Sequence, residues 1–507
     1  MISNRVNNIK PSLTIATNMK AQELKRAGKD IIVLAAGEPD FDTPDHIKSA
    51  AIEAINNGFT KYVPGKGTPD LQLAIQKKFQ RDNNLDYELG NITVGVGGKH
   101  IIYNAFSATI NSGDEVIIPA PYWVSYPDIV ILNDGKPVIV ECGEQNGFKI
   151  TPEDLEKHIN PKTKWLMLNS PSNPTGSMYS KEELTALGDV LQKHENVFIL
   201  SDDIYEKIVY DANEFKTIAE VCPFLKERTL TMNGLSKSYC MTGWRVGYAA
   251  GPTNLINAMN KVQSQNVSST ASISMAASVE ALNGDQSFII SNNESFLRRR
   301  NLVVKHLNET PGLSCRTPEG AFYVFASCKG VLGKTTQSGK KLSKDGDFMD
   351  YLLEEVGVAG VQGSAFGLEG FFRISYATSM ENLKKALEKI SSFDYDRIAN
   401  EILEERQISK LPPFVYQINI HAESLKRTLP EKALMEISRS LNLNDDEFIG
   451  PKPELIEKRK NYFRWVLTLK SENRKKIHAF ANQVIKMIDQ SDYSKNVRVG
   501  IDVDPLN

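Results

Sequence analysis

The chain has 507 residues, of which 41% are hydrophobic and 24% are charged, and its formal net charge is −2. This length exceeds what a single hydrophobic core organises, so we expect roughly two to four domains. Because the net charge is close to zero, the composition gives no reason to expect that the chain as a whole binds nucleic acid or a membrane surface.

Cysteine usage and apolar patterning narrow the class of protein further. The five cysteines are scattered and include no C-x-x-C pair, which argues against a disulfide framework or a zinc ribbon. No apolar stretch has the length of a secretory signal or of a membrane-spanning helix. We therefore expect a cytoplasmic protein with no membrane partner and no metal.

The N-terminal part of the chain alternates helical and strand patterns. Apolar spacing predicts a helix over 11–28, a short strand over 31–36 and a second helix over 44–57. Gly37 ends the strand, where a glycine lets the backbone approach a ligand, although an ordinary strand-to-loop turn explains it equally well. A loop rich in glycine and proline begins at Tyr62.

A glycine-rich turn lies between a strand that begins near Asn91 and a helix that we expect from about Lys99. Backbone N–H groups at a helix start bind phosphate, and the glycines at 97 and 98 allow a close approach. Many turns of this kind bind nothing, so the signal is weak alone. The spacing of the glycines from Gly95 onward does not match the dinucleotide fingerprint, which argues against a dinucleotide site.

Polar and aromatic residues follow several predicted strands. Trp123 follows an apolar strand that starts at Val116, and it could stack on a planar cofactor ring or fill the core. Asp202 follows the strand over 197–200, where it could pair with a protonated ring nitrogen or cap a helix. Tyr205 could hydrogen-bond a phenolic oxygen or merely pack. Strands alternating with helices predict a mostly parallel sheet, with ligands at the carboxyl ends of its strands.

One lysine stands out in the stretch 231–248. Lys237 is flanked by Ser236 and Ser238, and Arg245 follows close downstream. Hydroxyl groups and a guanidinium fork suit a phosphate, because guanidinium binds phosphate through two parallel hydrogen bonds. A lysine beside a phosphate site suits a Schiff base to a phosphorylated aldehyde cofactor. The alternative is an ordinary surface lysine near a turn.

A separate α+β unit begins near residue 285. Arg373 lies in the middle of an aromatic and apolar strand over 371–376. Burying an arginine is costly unless it is paired, so we expect an anionic partner, with a structural salt bridge as the alternative. The segment 330–336 resembles part of a nucleotide-binding P-loop, but Cys328 stands where the motif requires glycine, so we reject that interpretation.

Four of these pieces resemble the class I aminotransferases, which are fold type I enzymes that use pyridoxal 5′-phosphate. The pieces occur in the family's order at 170–176, 201–205, 236–245 and 372–376. The likeness is to the bacterial aspartate aminotransferase branch and covers roughly residues 5–393. The resemblance implies an α/β fold with a mostly parallel large-domain sheet and a smaller α+β domain.

The resemblance also implies roles around the cofactor ring. Lys237 would form the Schiff base to the cofactor aldehyde, and Asp202 would keep the pyridine nitrogen protonated. Asn173 and Tyr205 would contact the ring hydroxyl, and Trp123 would stack on the ring. In this family Trp123 and Asn173 would border the substrate as well.

Further positions would bind the cofactor phosphate if the resemblance holds. They are Gly98, the backbone of Lys99, Ser236 and Arg245, with Tyr62 reaching in from a second subunit. Since family sites are completed across a dimer interface, the resemblance implies a homodimer.

Substrate recognition follows from the same likeness. Arg373 would bind the α-carboxylate of the amino acid, and Gly37 would line that pocket. The segment 9–16 resembles the start of family members that use both aspartate and prephenate, so Lys10 is a hypothesis for the distal carboxylate, with a solvated terminal charge as the alternative. We expect transamination between L-aspartate and 2-oxoglutarate, with prephenate as a further acceptor and aromatic amino acids as the alternative.

The resemblance ends near Phe393, and the chain continues with a predicted charged helix over 394–409. The tail resembles the C-terminal domain of the primosomal replication-restart helicase, through pieces at 404–406, 411–414, 448–451, 462–465 and 501–505. The zinc-binding cysteines and the ATPase motifs of that helicase are absent, so unwinding is not implied.

We expect four parts in the chain: residues 1–45, a large cofactor domain over 46–284, a small domain over 285–393, and an extra C-terminal α/β domain over 394–507. In that last part, the run 458–465 interleaves basic and aromatic residues, as proteins that bind single-stranded DNA do. A solvated amphipathic strand explains the run almost as well, so nucleic acid is the less favoured partner.

Overall fold

The computed structural model describes residues 2–336, 338–391, 407, 414–441, 448–459, 461–493 and 495–503. The chain divides into two compact units, residues 1–393 and residues 394–507. Apart from position 407, the helix predicted over 394–409 lies outside the described residues, as do the matching pieces at 404–406, 411–413 and 504–505.

Helices and strands alternate through most of the first unit, as the patterning predicts. Its strands are β1 (Ile32–Val33), β2 (Ile92–Gly95), β3 (Glu115–Ala120), β4 (Lys136–Glu141), β5 (Thr163–Asn169), β6 (Phe198–Asp202), β7 (Thr229–Gly234), β8 (Gly247–Ala250), β9 (Tyr323–Ser327), β10 (Val358–Ala359), β11 (Val361–Gln362) and β12 (Phe371–Ser375). Its helices are α1 (Asn4–Asn8), α2 (Leu13–Arg26), α3 (Asp45–Asn56), α4 (Pro69–Asn83), α5 (Gly98–Thr109), α6 (Ser125–Leu132), α7 (Pro152–His158), α8 (Lys181–Gln192), α9 (Ile218–Val221), α10 (Thr253–Asn266), α11 (Ser272–Asn283), α12 (Ser287–Glu309), α13 (Asp345–Tyr351) and α14 (Met380–Ser391).

A seven-stranded sheet in the order β2-β8-β7-β6-β5-β3-β4 forms the centre of the first unit. The pairings among β3, β4, β5, β6 and β7 are parallel, and β8 runs antiparallel to β2 and β7. Apolar clusters pack on both faces, one around Phe106 and Trp165 and the other around Leu187 and Ile199. The predicted mostly parallel sheet is therefore confirmed, and its double burial explains the continuous apolar runs of its strands.

The smaller part of this unit contains a three-stranded antiparallel sheet in the order β11-β12-β9. The strand predicted over 31–36 is shorter than expected, because β1 pairs with β10 through only two residues. Beyond them, the N–H of Leu34 donates to the carbonyl of Ala359 at 2.8 Å and its own carbonyl accepts from Ser375 at 2.7 Å. The chain thus leaves its partner strand just before it reaches Gly37.

The second unit contains β13 (Tyr416–Ser424), α15 (Leu429–Ser440), β14 (Phe448–Arg459), β15 (Tyr462–Ser471), α16 (Arg474–Asp489) and β16 (Arg498–Val503). Its four strands form an antiparallel sheet in the order β14-β15-β13-β16, the β-α-β-β-α-β arrangement of ferredoxin-like folds. Its core packs Ile420 and Leu467 of the sheet with Leu434 and Val484 of the helices. The predicted extra domain is confirmed.

No helix in the described parts of either unit is both long and apolar enough to cross a membrane.

Candidate active site

A cavity of about 310 Å³ lies at the carboxyl ends of the central strands. It brings together almost all residues predicted for the site: Gly37, Gly98, Lys99, Trp123, Asn173, Asp202, Tyr205, Ser236, Lys237, Arg245 and Arg373. Lys10 and Tyr62 do not line it. Residues more than 300 positions apart in the chain, such as Gly37 and Arg373, therefore line one cavity.

Lys237 lies just after β7, where its Nζ donates a hydrogen bond to the carbonyl oxygen of Gly37 at 2.6 Å. Burial, followed by the positive charges of Arg373 and Arg245, lowers the pKa of Lys237 from its usual range to about 8. A lysine with such a pKa is partly neutral near physiological pH, which a nucleophilic or proton-accepting amine requires.

Asp202 ends β6 and is only 4% exposed. The hydroxyl of Tyr126 donates to its Oδ2 at 2.6 Å, and the backbone N–H of Ile204 donates to its Oδ1 at 3.3 Å. Burial raises the pKa of Asp202 to about 6. The alternative role of Asp202 as a helix cap does not explain its position, because the next helix begins only at Ile218.

The backbone near α5 and the side chain of Arg245 form a concave cradle. Gly97 has a φ of +83°, and a Cβ atom there would lie 2.5 Å from Nη2 of Arg245. Arg245 itself adopts a φ of +57°, which is rare for a bulky residue and is typical of functional sites. No acidic partner of Arg245 occurs among the described residues, and Gly98 opens the helix beside it. This cradle fits an anion such as phosphate.

Arg373 is 2% exposed in the middle of β12. It donates from Nη1 to Oδ1 of Asn173 and from Nη2 to the carbonyl of Ala35, both at 2.8 Å, while its buried Nε has no partner. The rings of Tyr323 and Phe366 lie 4.6 Å and 4.9 Å from the guanidinium carbon. In the part of the chain that the structure describes, no acid pairs with it, so the expected anionic partner is not one of those side chains.

Several residues that the sequence did not single out also line the cavity: Ser12, Thr14, Ile15, Tyr126, Asn169 and Tyr323. The hydroxyl of Tyr323 lies 2.9 Å from that of Tyr205, within hydrogen-bonding distance. Tyr126 follows Trp123 by nearly one helical turn, a spacing that could have suggested it. Ser12 and Thr14 carry no local signal of this kind.

The two predicted residues outside the cavity both lie on the surface. The side chain of Tyr62 is 96% exposed, as a residue acting in a second subunit would be. Lys10 is exposed, and its backbone N–H contacts the carboxylate of Asp128. The roles assigned to them stay predictions.

The residues that are present fit pyridoxal 5′-phosphate. The amine of Lys237, the buried carboxylate of Asp202 and the cationic cradle at Arg245 line one cavity, as an aldehyde, a ring nitrogen and a phosphate group require. These three residues would hold those three groups. No cluster of three or more His, Cys, Asp or Glu side chains suited to a metal ion occurs within the described ranges.

Two family models match the chain. The model for class I and II aminotransferases matches residues 29–390, and the model for the primosomal protein N C-terminal domain matches residues 407–506. Among curated proteins, the aspartate/prephenate aminotransferase of Cereibacter sphaeroides is 56% identical over 392 residues, which are 77% of this chain and 98% of that protein. A probable aspartate/prephenate aminotransferase of Rickettsia bellii is also 56% identical, over 76% of this chain and 97% of that protein.

Solved structures give the same result. The aspartate aminotransferase of Rhizobium meliloti matches with a TM-score of 0.76 and 55% identity, covering 78% of this chain and 98% of that one. The Thermus thermophilus aspartate aminotransferase with maleate matches with a TM-score of 0.73 and 42% identity, covering 78% of this chain and 99% of that one. The expected family, fold and cofactor are thereby confirmed. The chain belongs to the class I and II aminotransferases, which depend on pyridoxal 5′-phosphate, and carries a primosomal protein N C-terminal domain after its aminotransferase part.

Proposed function

We propose that this aminotransferase transfers the amino group of L-aspartate to 2-oxoglutarate, with prephenate as a further amino acceptor. The observation that carries the proposal is a pair of cations, Arg373 and Lys99, that line one cavity without an acidic partner among the described residues. A buried cation such as Arg373 is costly unless an anion pairs with it. A substrate with two carboxylates supplies one for Arg373 and a second for the exposed Lys99.

Arg373 would bind the α-carboxylate of the amino acid. Its fork-shaped guanidinium suits a carboxylate, and its hydrogen bonds to Asn173 and Ala35 hold it in one orientation. A substrate held in this way presents its Cα–H bond towards a fixed base, which lowers the entropic part of the barrier.

Lys237 would then move the proton at the substrate Cα. The pKa of about 8 lets its Nζ accept a proton and give one up near neutral pH. Bound pyridoxal 5′-phosphate supplies an electron sink for the carbanion that loss of this proton leaves. Asp202 would keep a proton at the pyridine nitrogen, since its carboxylate is buried and ionises near pH 6.

Lys99 would bind the distal carboxylate of a dicarboxylic substrate. Its Nζ lies 4.9 Å from the ring centre of Trp123, and partial burial together with Arg245 lowers its pKa. Aspartate, 2-oxoglutarate and prephenate each carry two carboxylates, whereas phenylalanine and tyrosine carry one. The names of the relatives and the maleate in the Thermus structure support the dicarboxylic choice. Lys10 is the second candidate for this role.

A substrate panel with 2-oxoglutarate as acceptor tests the proposal. We expect wild-type protein to prefer aspartate to phenylalanine, and Lys99→Met to lower kcat/KM for aspartate by roughly tenfold or more while phenylalanine changes little. The matched variant Lys10→Met reports whether that lysine binds the distal carboxylate instead. A wild-type preference for phenylalanine would make the proposal of an aspartate-specific enzyme wrong.

We also propose a homodimer, in which Tyr62 completes the phosphate site of the partner. Exposed apolar side chains on and after α3 support this: Ile52 is 57% exposed, Ile55 50%, Phe59 38% and Tyr62 96%. A group of large exposed apolar residues in one short stretch of the chain is typical of a protein–protein interface. Light scattering would measure the subunit count, and Tyr62→Phe should weaken cofactor binding if the phenol reaches the phosphate.

The five cysteines are unpaired and buried, which supports a cytoplasmic location. Within the chain we retain the proposed division at residues 45, 284 and 393, with the last domain taking no part in the reaction. Fractionation of cells, followed by detection of the full chain, tests the location.

A further inference from the structure

Tyr126 connects two residues of the active site. It belongs to α6 and is 3% exposed. Its hydroxyl donates to Oδ2 of Asp202 at 2.6 Å, and its ring packs edge-on against Trp123 with centroids 5.4 Å apart and an interplanar angle of 85°. The side chain therefore contacts both the acid expected at the ring nitrogen and the indole expected on the ring face.

The carboxylate of Asp202 is held by few groups. Oδ2 accepts from Tyr126, and Oδ1 accepts from the backbone N–H of Ile204 over the longer distance of 3.3 Å. The charge of Lys237 also acts on it. The bond from Tyr126 is the shorter of the two hydrogen bonds and the one that a side-chain substitution can remove.

We propose that Tyr126 is a positioning residue, which orients the Asp202 carboxylate towards the ring nitrogen, favours its ionised form and packs edge-on against Trp123. The inference rests on the proposed role of Asp202 at the pyridine nitrogen. Tyr126 has no role in that proposal beyond lining the cavity, and its contacts described above are with Asp202 and Trp123 rather than with Arg373.

The hydroxyl of Tyr126 can donate across the whole working pH range. Burial and the neighbouring charge of Asp202 raise the pKa of Tyr126 well above its ordinary value. A hydrogen bond donated to a carboxylate favours the ionised acid, and it thereby opposes the effect of burial on Asp202. When the hydroxyl is removed, one of the groups that lower the pKa of Asp202 is lost. The effect of burial then dominates more strongly, and the pKa of Asp202 rises above about 6.

The titratable groups that face Asp202 come from three elements. They are Tyr126 on α6, Tyr205 just after β6, and Lys237 just after β7. Asp203 is the next residue in the chain, but its carboxylate accepts from the hydroxyl of Ser201, and burial raises its pKa to about 7. An Asp202→Asn variant distinguishes Asp202 from these neighbours, because it removes only that titration.

The test is a titration of the full-length protein, freed of cofactor, with pyridoxal 5′-phosphate at a series of pH values. In wild-type protein, affinity should fall as pH decreases through a midpoint near 6, where Asp202 takes up a proton. In Tyr126→Phe, which keeps the ring against Trp123, we expect this midpoint to move up by about one pH unit. In Asp202→Asn the contribution of this carboxyl should disappear, which leaves only the ionisation of the cofactor's own phosphate at about pH 6 that all variants share.

Tyr179→Phe is the matched control, because it also removes one buried hydroxyl, which accepts from the backbone N–H of Ile150 and does not touch Asp202. Its midpoint should stay at the wild-type value. Tyr126→His keeps a donor at the position and should return the midpoint towards wild type. A lower affinity at every pH with an unmoved midpoint in Tyr126→Phe would reduce Tyr126 to a packing residue and overturn the inference.

The two levels of the proposal fail in different ways. If wild-type protein does not bind the cofactor, or if Asp202→Asn loses as much affinity at low pH as wild type does, the role of Asp202 is wrong and the inference falls with it. If wild type and Asp202→Asn behave as expected but Tyr126→Phe matches wild type, only the role of Tyr126 is wrong.

Discussion

The cations of the active-site cavity differ from the paired cations of the C-terminal unit. In the aminotransferase unit, Arg373 and Lys99 line a cavity, and neither has an acidic partner among the described residues. In the C-terminal unit, Arg464 pairs with Glu454 at 2.7 Å and His421 bonds to the same Glu454 at 2.8 Å. The active-site cavity thus leaves Arg373 and Lys99 for a ligand, although the same unit pairs other cations, such as Arg299 with Asp40, and the C-terminal unit pairs Arg464 within its own sheet.

The presence or absence of an acidic partner distinguishes a cation in a binding site from a cation on a solvated face. A buried cation without an acid is destabilising until an anion arrives, so its persistence indicates a ligand. A surface cation paired with a neighbouring acid adds little stability and presents little free charge. The basic and aromatic run at 458–465 includes Arg464, which is already paired, so this residue does not support a DNA-binding interpretation of the run.

The largest effect is expected from Lys237→Ala. Without the amine there is no Schiff base and no proton carrier at the substrate Cα, so turnover should fall on the order of 10⁴-fold or more. Borohydride reduction followed by peptide mass mapping should place the cofactor adduct on Lys237 in wild type only. Lys164→Ala, which changes a lysine beside Phe198 outside the cavity, should keep both turnover and adduct. An adduct on another lysine in wild type would contradict the assignment.

Arg373→Lys sharpens the contrast between unpaired and paired cations. The charge remains, but the two-pronged contact to a carboxylate is lost, so kcat/KM for aspartate should fall by roughly 10²-fold. Steady-state kinetics measures this. Arg228→Lys is the control, because Arg228 donates to the backbone carbonyls of Leu191, His194 and Val197 and does not line the cavity. It should lower thermal stability and leave KM alone, and an equal rise in KM for both variants would count against a carboxylate role for Arg373.

A pH dependence should follow from Lys237. Its pKa is lowered to about 8 from a usual value near 10.5, so the amine is increasingly protonated below pH 8 and cannot attack the aldehyde. The rate at which added cofactor forms its covalent link should therefore fall by about tenfold for each pH unit below that midpoint. Stopped-flow absorbance measures it. A midpoint near 10.5 would show that burial and Arg373 do not act on this amine as described.

The smallest effects are expected in the C-terminal unit. Glu454→Gln removes the acid shared by Arg464 and His421, and should cost about 1 kcal/mol of stability or less while transamination stays unchanged. Fluorescence anisotropy of the full chain with a single-stranded oligonucleotide should show no salt-sensitive binding. Binding that is lost at higher salt and in Lys458→Ala would revive a nucleic-acid role for this unit.

The sequence could predict functional residues whose role is indicated by the residues next to them in the chain. Lys237 stands between two serines near Arg245, and Asp202 follows an apolar strand, so each carried a local signal of its chemistry. Tyr126 was missed because its bond to Asp202 spans 76 positions in the chain. The short pairing of β1 was missed for a similar reason, since the length of a strand depends on its partner.

The amino-acid sequence alone determined which chemical groups the chain offers and which strands end at them, because periodicity and residue type act over a few neighbouring positions. Only the tertiary structure decided which of these groups meet. Arg373 donates to Asn173 across 200 positions, and its lack of an acid partner is a property of the folded surroundings. Burial and distance in three dimensions set both the charge of Lys237 and the acidity of Asp202, and no local pattern encodes either.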